Sequence, residues 1–284
     1  MALILGCGTT TAIGQSYAEV NEEASHEARG PQDVRGRETR TEREAPGESD
    51  EAPATPDDDA EATPWFQWER ATGDWGGART RLENAGVTIE ASLIAEWYAV
   101  LDGGVDEDSS VRAMLDINAT FDLETLVGLE GGEVFIDLYW LDGNSLSEDA
   151  GDFQGASNIE ADDRYEVAEL WYQQYFFDDR FRLKVGKIEG NAEFGFVDAA
   201  GEFVNSSAGF SPTFLALPTF PDPSTGIVIG WSPVEQFSLT AGFMDGASTI
   251  DGVRTGTQGP ATFFSDDRSD DYVWMGEANL MWDG

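Results

Sequence analysis

The chain has 284 residues, of which 55 are acidic and 16 basic, so its formal net charge is −39. Because general nucleic-acid binding depends on Lys and Arg neutralising phosphates, this charge excludes nucleic acid as a partner. One histidine and one cysteine leave no Cys/His cluster for zinc and no histidine base in the folded part. Most histidine-dependent hydrolase mechanisms are excluded with them, and the expected protein has no metal, no cofactor and no enzymatic activity. The sequence contains no run of 18 apolar residues, which excludes a membrane-spanning helix.

Composition divides the chain into three parts. Residues 1–18 combine an apolar run with small residues, which is typical of a secretory signal peptide without its charged start. Lipidation of Cys7 and an ordinary disordered terminus are the alternatives. Residues 19–63 are rich in Glu, Asp, Arg, Pro and Ala and contain almost no large apolar side chain, so we expect a disordered acidic extension. Residues 64–284 form the predicted folded part.

A short helix and then a series of strands are predicted in the folded part. Residues 77–86 combine helix-compatible side chains with a glycine where a C-terminal cap belongs. From Val87 onwards apolar and polar residues alternate with the period of two that is typical of a strand. Similar segments follow to the end of the chain and predict about eight strands. Several reach about ten residues, the length that a tilted strand needs to cross a bilayer.

The predicted connections are short at one end of the strands and long at the other. Residues 178–180 and 232–235 are tight turns, whereas 143–163, 190–224 and 246–271 are long loops. This arrangement, with aromatic residues near the strand ends, is typical of outer-membrane barrels. The pattern favours an all-β fold, an antiparallel transmembrane β-barrel. A soluble β-sandwich, which also alternates apolar and polar faces, stays the alternative.

Residues 72–87 read TGDWGGARTRLENAGV and closely resemble the opening signature of the carbohydrate-selective outer-membrane porins, the OprB family. Three later matches resemble the same family in the same order: 121–132, then 169–174 followed by 181–187, and finally 221–233. The resemblance covers nearly everything from residue 68 to the end. The motif positions that carry the first match are Gly73, Asp74, Trp75, Gly76, Gly77 and Arg79.

The resemblance implies a 16-stranded barrel that lets sugars diffuse passively through the outer membrane of a Gram-negative-type bacterium. It also implies a homotrimer, with mono- or oligosaccharides and outer-membrane lipid as partners. Because about eight strands are only half of such a barrel, and an open edge in lipid leaves backbone groups unsatisfied, we expect the sequence to lack a C-terminal half. A soluble secreted carbohydrate-binding β-sandwich is the rival hypothesis, and a glycosidase is a distant third.

A sugar porin requires a wet lumen whose side chains exchange hydrogen bonds with hydroxyl groups. The polar strand faces supply the predicted pore-lining, sugar-contacting residues, which are Glu90, Asp116, Asn118, Asp137, Glu169, Gln173, Arg182 and Lys184. Each of them is equally well explained as part of a solvated strand face.

Residues 191–220 form the predicted constriction loop. Its aromatic residues either present their faces to sugar rings or pack against the barrel wall; they are Phe194, Phe196, Phe203, Phe210 and Phe214. Trp75 has the same two interpretations, a sugar platform or a structural tryptophan beside a Gly-Gly turn.

Overall fold

The computed structural model describes residues 70–152, 155–195, 218–246, 249–250, 253–254, 260–264 and 272–281. The predicted signal peptide, residues 1–18, and the predicted acidic extension, residues 19–63, lie outside the described residues. Of the predicted constriction-loop aromatics, Phe194 is described; Phe196, Phe203, Phe210 and Phe214 lie outside.

Eight strands form one antiparallel sheet in which each strand pairs with its neighbours along the chain. They are β1 Val87–Ala99, β2 Ser109–Asp122, β3 Gly132–Gly143, β4 Arg164–Phe176, β5 Phe181–Ile188, β6 Ser224–Val234, β7 Phe237–Asp245 and β10 Tyr272–Leu280. Between β7 and β10, the two-residue strands β8 Thr249–Ile250 and β9 Val253–Arg254 form a separate pair. The predicted all-β antiparallel architecture is confirmed.

Five short helices connect these strands: α1 Ala78–Glu83, α2 Leu123–Val127, α3 Ser147–Ala150, α4 Gly190–Glu193 and α5 Pro260–Phe263. Helix α1 lies within the segment predicted to be helical. Alternation of apolar and polar residues continues from β2 to Leu123, but the strand ends at Asp122. The Asp122 carboxylate accepts hydrogen bonds from the N–H groups of Glu124 and Thr125, and this cap begins α2 at Leu123. Among the described residues, the helices are too short and too polar to span a membrane.

The sheet has two faces of different chemistry. On one face, which we call the outer face, apolar side chains are exposed; among them are Leu93, Val111, Ile117, Leu138, Leu170, Val185, Ile229, Trp231 and Trp274. On the opposite, inner face, polar side chains alternate with them and are mostly buried. Because exposed apolar rows and a covered polar face are unusual in a protein surrounded by water, this distribution is that of a sheet with lipid on its outer side.

A β-bulge changes the phase of β4. Glu169 lies opposite Asp137, but the next pair joins Val167 with Leu138, so Ala168 has no partner across the strand. Strict alternation from Leu170 would put Ala168 on the outer face; the bulge instead turns it inward, where it is fully buried in an apolar cluster that contains Met114.

The connections differ in length between the two ends of the sheet. The turns at 177–180 and 235–236 are short, and β6 extends to Val234, so the second turn is shorter than the predicted 232–235. In outer-membrane barrels short turns mark the periplasmic end. At the other end, two long connections place segments on the inner face. We call residues 155–163 the first inward segment and residues 189–195 the second inward segment.

Candidate functional site: the inner face of the sheet

Four of the predicted pore-lining residues form one row across the inner face. Glu90 lies opposite Asn118, Asn118 opposite Asp137, and Asp137 opposite Glu169. Directly opposite residues on neighbouring strands have side chains about 5 Å apart. Asp116 lies on the same face of β2, two residues from Asn118. The structure therefore brings together side chains that come from four separate strands.

This acidic row is covered at one end and accessible at the other. Asp116, Asp137 and Glu169 are at most 3% exposed. Glu169 Oε2 accepts a hydrogen bond of 2.9 Å from the backbone N–H of Glu189, in the second inward segment. The side chain of Glu90 keeps 32% of its surface. Across the described residues, no group of three or more His, Cys, Asp or Glu side chains has the arrangement of a metal site.

A second row carries the predicted amide and one predicted cation. Gln173 lies opposite Glu133 on one side and opposite Lys184 on the other. Lys184 is only 2% exposed, and its Nζ lies 3.9 Å from the centre of the Trp171 ring. This buried ammonium is therefore not available to a passing solute, although it lies on the predicted face.

Both predicted cations bind one carboxylate of the second inward segment. Lys184 Nζ lies 2.6 Å from one carboxylate oxygen of Glu193, and the Arg182 guanidinium binds the other. We call these three residues the Glu193 clamp. Burial by itself raises the pKa of Glu193, but the attraction of Lys184 and Arg182 outweighs it and lowers the pKa to about 2. The Glu193 carboxylate therefore stays ionised at neutral pH.

Further hydrogen bonds fix the second inward segment along its length. Glu189 Oε1 accepts bonds from the Thr219 hydroxyl at 3.0 Å and from the Phe220 N–H at 3.1 Å. At the other end, the Gly195 N–H donates to Glu277 Oε2 of β10 at 2.6 Å. Both ends of the segment are thus attached to other elements of the fold.

Phe194 packs against the wall of the sheet. It is 3% exposed and belongs to an apolar cluster with Trp171, Val228 and Met244. A Cβ atom on Gly242 would lie 2.8 Å from its ring, so the absence of a side chain at that position provides the space for it. Of the two interpretations of Phe194, the structure supports wall packing.

A buried arginine fixes the first inward segment. The Arg112 guanidinium donates to the carbonyls of Ile159 and Ala161, each at 2.8 Å, and to that of Gly143 at 3.3 Å. Three carbonyl acceptors bind the two terminal nitrogens of this buried guanidinium, whereas its Nε has no hydrogen-bond partner among the described residues. Sequence reasoning missed Arg112. The available signal was its position on β2: Arg112 is four residues from Asp116 and therefore on the same, inner face of the strand.

Glu160 organises the same connection from within. Its carboxylate accepts bonds from the hydroxyls of Ser145 and Ser147 and from the N–H groups of Ser147 and Ala156. Burial raises the pKa of Glu160, but these hydrogen bonds outweigh it and lower the pKa below its ordinary value. The Glu160 carboxylate thus joins residues 145–147 to Ala156 within the β3–β4 connection. The composition of the connection does not indicate which of its acidic residues has this role.

The motif at residues 72–86 folds around a buried arginine. Arg79 donates to the Gly73 carbonyl at 3.1 Å, the Thr72 hydroxyl at 3.1 Å and the Ile89 carbonyl at 3.0 Å. Its guanidinium carbon also lies 4.3 Å from the centre of the Trp75 ring. Arg79 therefore joins three parts of the motif to β1.

The Ile89 carbonyl that Arg79 binds lies on the free edge of β1. The Asp122 N–H bonds to the Gly86 carbonyl, which makes this a hydrogen-bonded pair. Because such pairs alternate along an antiparallel ladder, Ile89 directs its carbonyl away from β2. In the described residues β1 has one paired neighbour, β2, and Arg79 satisfies one acceptor of its open edge.

The other motif residues build tight turns. Gly76 and Gly77 have φ values of 66° and 83°, in the left-handed region that glycine adopts easily. Asp74 Oδ1 accepts from the backbone N–H and the hydroxyl of Thr80, at 2.9 and 2.8 Å. These bonds lower the pKa of Asp74, so its carboxylate is ionised at neutral pH.

An exposed apolar outer face and a polar inner face partly filled by two inward segments are characteristic of the wall of an outer-membrane β-barrel. The model of the carbohydrate-selective porins, OprB family, matches residues 106–267. The chain belongs to this family. Membership places the protein in the outer membrane of a Gram-negative-type bacterium.

Individual relatives agree with this assignment. The chain is 28% identical to Porin B of Pseudomonas aeruginosa over 131 residues, which are 43% of this chain and 29% of that protein. It is 28% identical to QuiX of Acinetobacter baylyi over 137 residues, 45% of this chain and 31% of that protein. The alignments thus span less than a third of each relative.

A solved structure supports the fold. The high-pH structure of OprB from Pseudomonas putida superposes with a TM-score of 0.64 at 18% sequence identity, covering 74% of this chain and 52% of that one. At this identity the similarity concerns the fold. It identifies the eight-stranded sheet as a β-barrel wall, so the predicted fold class is confirmed.

Proposed function

We propose that the protein forms a channel for the passive diffusion of sugars across the outer membrane. The observation that carries this proposal is the pair of polar rows on the inner face, which lie beside two inward segments. Neutral sugars carry hydroxyl groups that both donate and accept hydrogen bonds. A wall with carboxylates, amides and a partly accessible guanidinium offers partners for both roles.

Glu90 and Arg182 are the predicted residues that we assign to direct contact with sugar. Their side chains are 32% and 21% exposed, whereas the other predicted members are more deeply buried. A solute exchanges hydrogen bonds only with atoms that it reaches. We therefore assign a supporting role to the buried members of the set, which are Asp116, Asn118, Asp137, Glu169, Gln173 and Lys184.

The second inward segment is the proposed constriction. It lies on the inner face, and the Glu193 clamp fixes it with charges that are 2% exposed at Lys184 and Glu193. Narrowing of the lumen by a fixed segment selects solutes by size without a moving part. Diffusion breaks and forms no covalent bond, so this function requires neither a catalytic residue nor a cofactor.

The proposed channel also implies contacts with lipid and with other copies of the chain. The exposed apolar side chains of the outer face are the proposed contacts with outer-membrane lipid. The homotrimer implied by the family resemblance stays a prediction, and the sedimentation of the protein in detergent tests it.

Planar-bilayer recording tests the function directly. The protein is expressed from its intact gene, purified in detergent and reconstituted, and the ion current is recorded during additions of glucose and a maltose series. We expect a stable channel whose current the sugars block reversibly. A protein that stays soluble without detergent and forms no channel would overturn the proposal in favour of the soluble sugar-binding sandwich.

A matched pair of arginine variants tests the assignment of the contact residue. Arg182→Gln removes an inner-face guanidinium, and we expect it to change the sugar concentration that gives half-maximal block. Arg180→Gln removes an exposed guanidinium from the short turn and is the control. Equal effects of the two variants would contradict the assignment of Arg182.

A further inference from the structure

We infer that Trp75 forms a stacking site for the pyranose ring of a sugar at the periplasmic mouth of the channel. The inference rests on the proposed function and adds a second place where the solute binds. Four features carry it: the fixed orientation of the indole, its exposure, the location of the motif and the polar groups beside the ring.

The indole ring is held in place before any ligand arrives. Its Nε1–H donates to the Thr72 hydroxyl at 3.1 Å, and the Arg79 guanidinium lies over the ring. Arg79 is itself fixed by its bonds to backbone carbonyls. A side chain that is already ordered loses little conformational entropy on binding, which favours affinity.

Trp75 is exposed although its backbone conformation is costly. It keeps 43% of its surface, so burial in a core does not explain the large apolar side chain. Its φ of 52° lies in the left-handed region, which bulky residues rarely adopt. Glycine adopts that conformation without the same cost, and Gly73 and Gly76 do so on either side. A tryptophan thus occupies a backbone conformation that favours glycine.

The motif lies on the inner side of the periplasmic end of the sheet. Arg70 binds Glu83 of α1 at 2.6 Å and approaches Glu90 of the inner face at 3.9 Å. A tryptophan that anchors the barrel in lipid belongs on the outer face, as Trp274 does. The position of Trp75 is that of a group which meets a solute as it leaves the lumen.

The chemistry around the ring fits a pyranose. The C–H groups on one face of such a ring carry partial positive charge, and the face of an indole is electron-rich. The ionised Asp74 precedes Trp75 in the chain, and the Arg81 guanidinium lies with the Asp74 carboxylate beside Gly77, so the motif supplies an acceptor and donors for hydroxyl groups. An acyclic polyol has the hydroxyls but lacks the flat C–H face.

Fluorine NMR tests this site on the unmodified sequence. The protein is labelled with 5-fluorotryptophan and purified in detergent, and the Trp75 resonance is assigned with Trp75→Phe. We expect glucose and maltose to shift this resonance saturably, and sorbitol to leave it in place. The Trp274 resonance is the internal control. A Trp75 resonance that does not move with sugar, or that moves equally with sorbitol, would overturn the inference.

Channel recording separates this inference from the proposed function. With sugar added on the periplasmic side, we expect Trp75→Leu to raise the half-blocking concentration about tenfold and Trp75→Phe to raise it less. Trp274→Leu is the control and leaves it unchanged. Sugar block that is unaffected by Trp75→Leu refutes the stacking site and leaves the channel function intact. A saturable shift of Trp75 without any block refutes the channel function and leaves the site intact.

Discussion

The substitution Glu193→Gln gives the sharpest test of how the second inward segment is held. It keeps the size of the side chain and removes the charge that Lys184 and Arg182 share. The two cations then lie on the inner face without their common carboxylate. We expect the segment to detach from the wall more often, while the strands themselves stay paired.

The pKa of Glu193 sets the size of this effect. The clamp lowers it from 4.5 to about 2, and at about 1.4 kcal/mol for each tenfold change this corresponds to about 3 kcal/mol. Loss of one partner from a buried ion pair costs a similar amount. Because the pKa in the folded protein is the lower one, the stabilisation is complete above about pH 4.5 and is lost as the pH falls towards 2.

Hydrogen–deuterium exchange at residues 190–195 measures the detachment. The backbone amides of Gly190 and Gly195 donate hydrogen bonds to Pro218 and Glu277, which lie outside the segment, so detachment breaks these two bonds. At neutral pH we expect Glu193→Gln to accelerate their exchange by about a hundredfold, since 3 kcal/mol is about two powers of ten. Glu148→Gln, at an exposed position of α3, is the control and leaves the rates unchanged.

Unchanged exchange in Glu193→Gln, or equal acceleration in the control, would show that the Glu193 clamp does not hold the segment. The double variant with Lys184→Met adds a second check. Because it also removes the buried ammonium that has lost its main partner, we expect it to recover part of the protection.

Three further predictions concern other contacts. Gly242→Ala places a Cβ atom 2.8 Å from the Phe194 ring, and we expect it to lower the free energy of unfolding in urea by about 2 kcal/mol. Gly276→Ala is the control: a Cβ atom there meets nothing within 4 Å, so we expect no change. Arg79→Lys loses the fork that binds several acceptors and should speed proteolysis within residues 70–86. The hydrogen bonds to Glu160 lower its pKa, so they stabilise the β3–β4 connection only while the carboxylate is ionised. We therefore expect this connection to become protease-sensitive as the pH falls below about 4.5, and Glu160→Gln to make it sensitive at neutral pH.

The strands and the chemistry of their faces were predictable because a barrel strand has lipid on one side and water on the other. Its sequence therefore alternates apolar and polar residues with a period of two. That period placed Asn118, Asp137 and Glu169 on one face of their strands. Antiparallel pairing of consecutive strands then brought them into one row. The bulge at Ala168 was not predictable, because a single inserted residue changes the phase without a composition signal of its own.

The contacts that fill the inner face were harder to predict. Glu193 lies in a connection without periodicity, so nothing in its surroundings marks it as the partner of Arg182 and Lys184. A strand pattern shows which side chains point inward but not which of them a loop will neutralise. Both cations lie on the inner face, where Lys184 is buried and Arg182 is partly exposed; that they line a pore stays a prediction.

The bond between Arg79 and the Ile89 carbonyl has a consequence for how the wall can be extended. A strand edge normally accepts a new strand at any position, and a slip by two residues keeps every side chain on its proper face. Arg79 already occupies the acceptor at Ile89. Another strand laid along this edge has to begin its hydrogen bonds beyond that position, nearer to Ala91. The arginine of the motif thereby acts as a stop that sets the alignment of β1 with whatever pairs beside it.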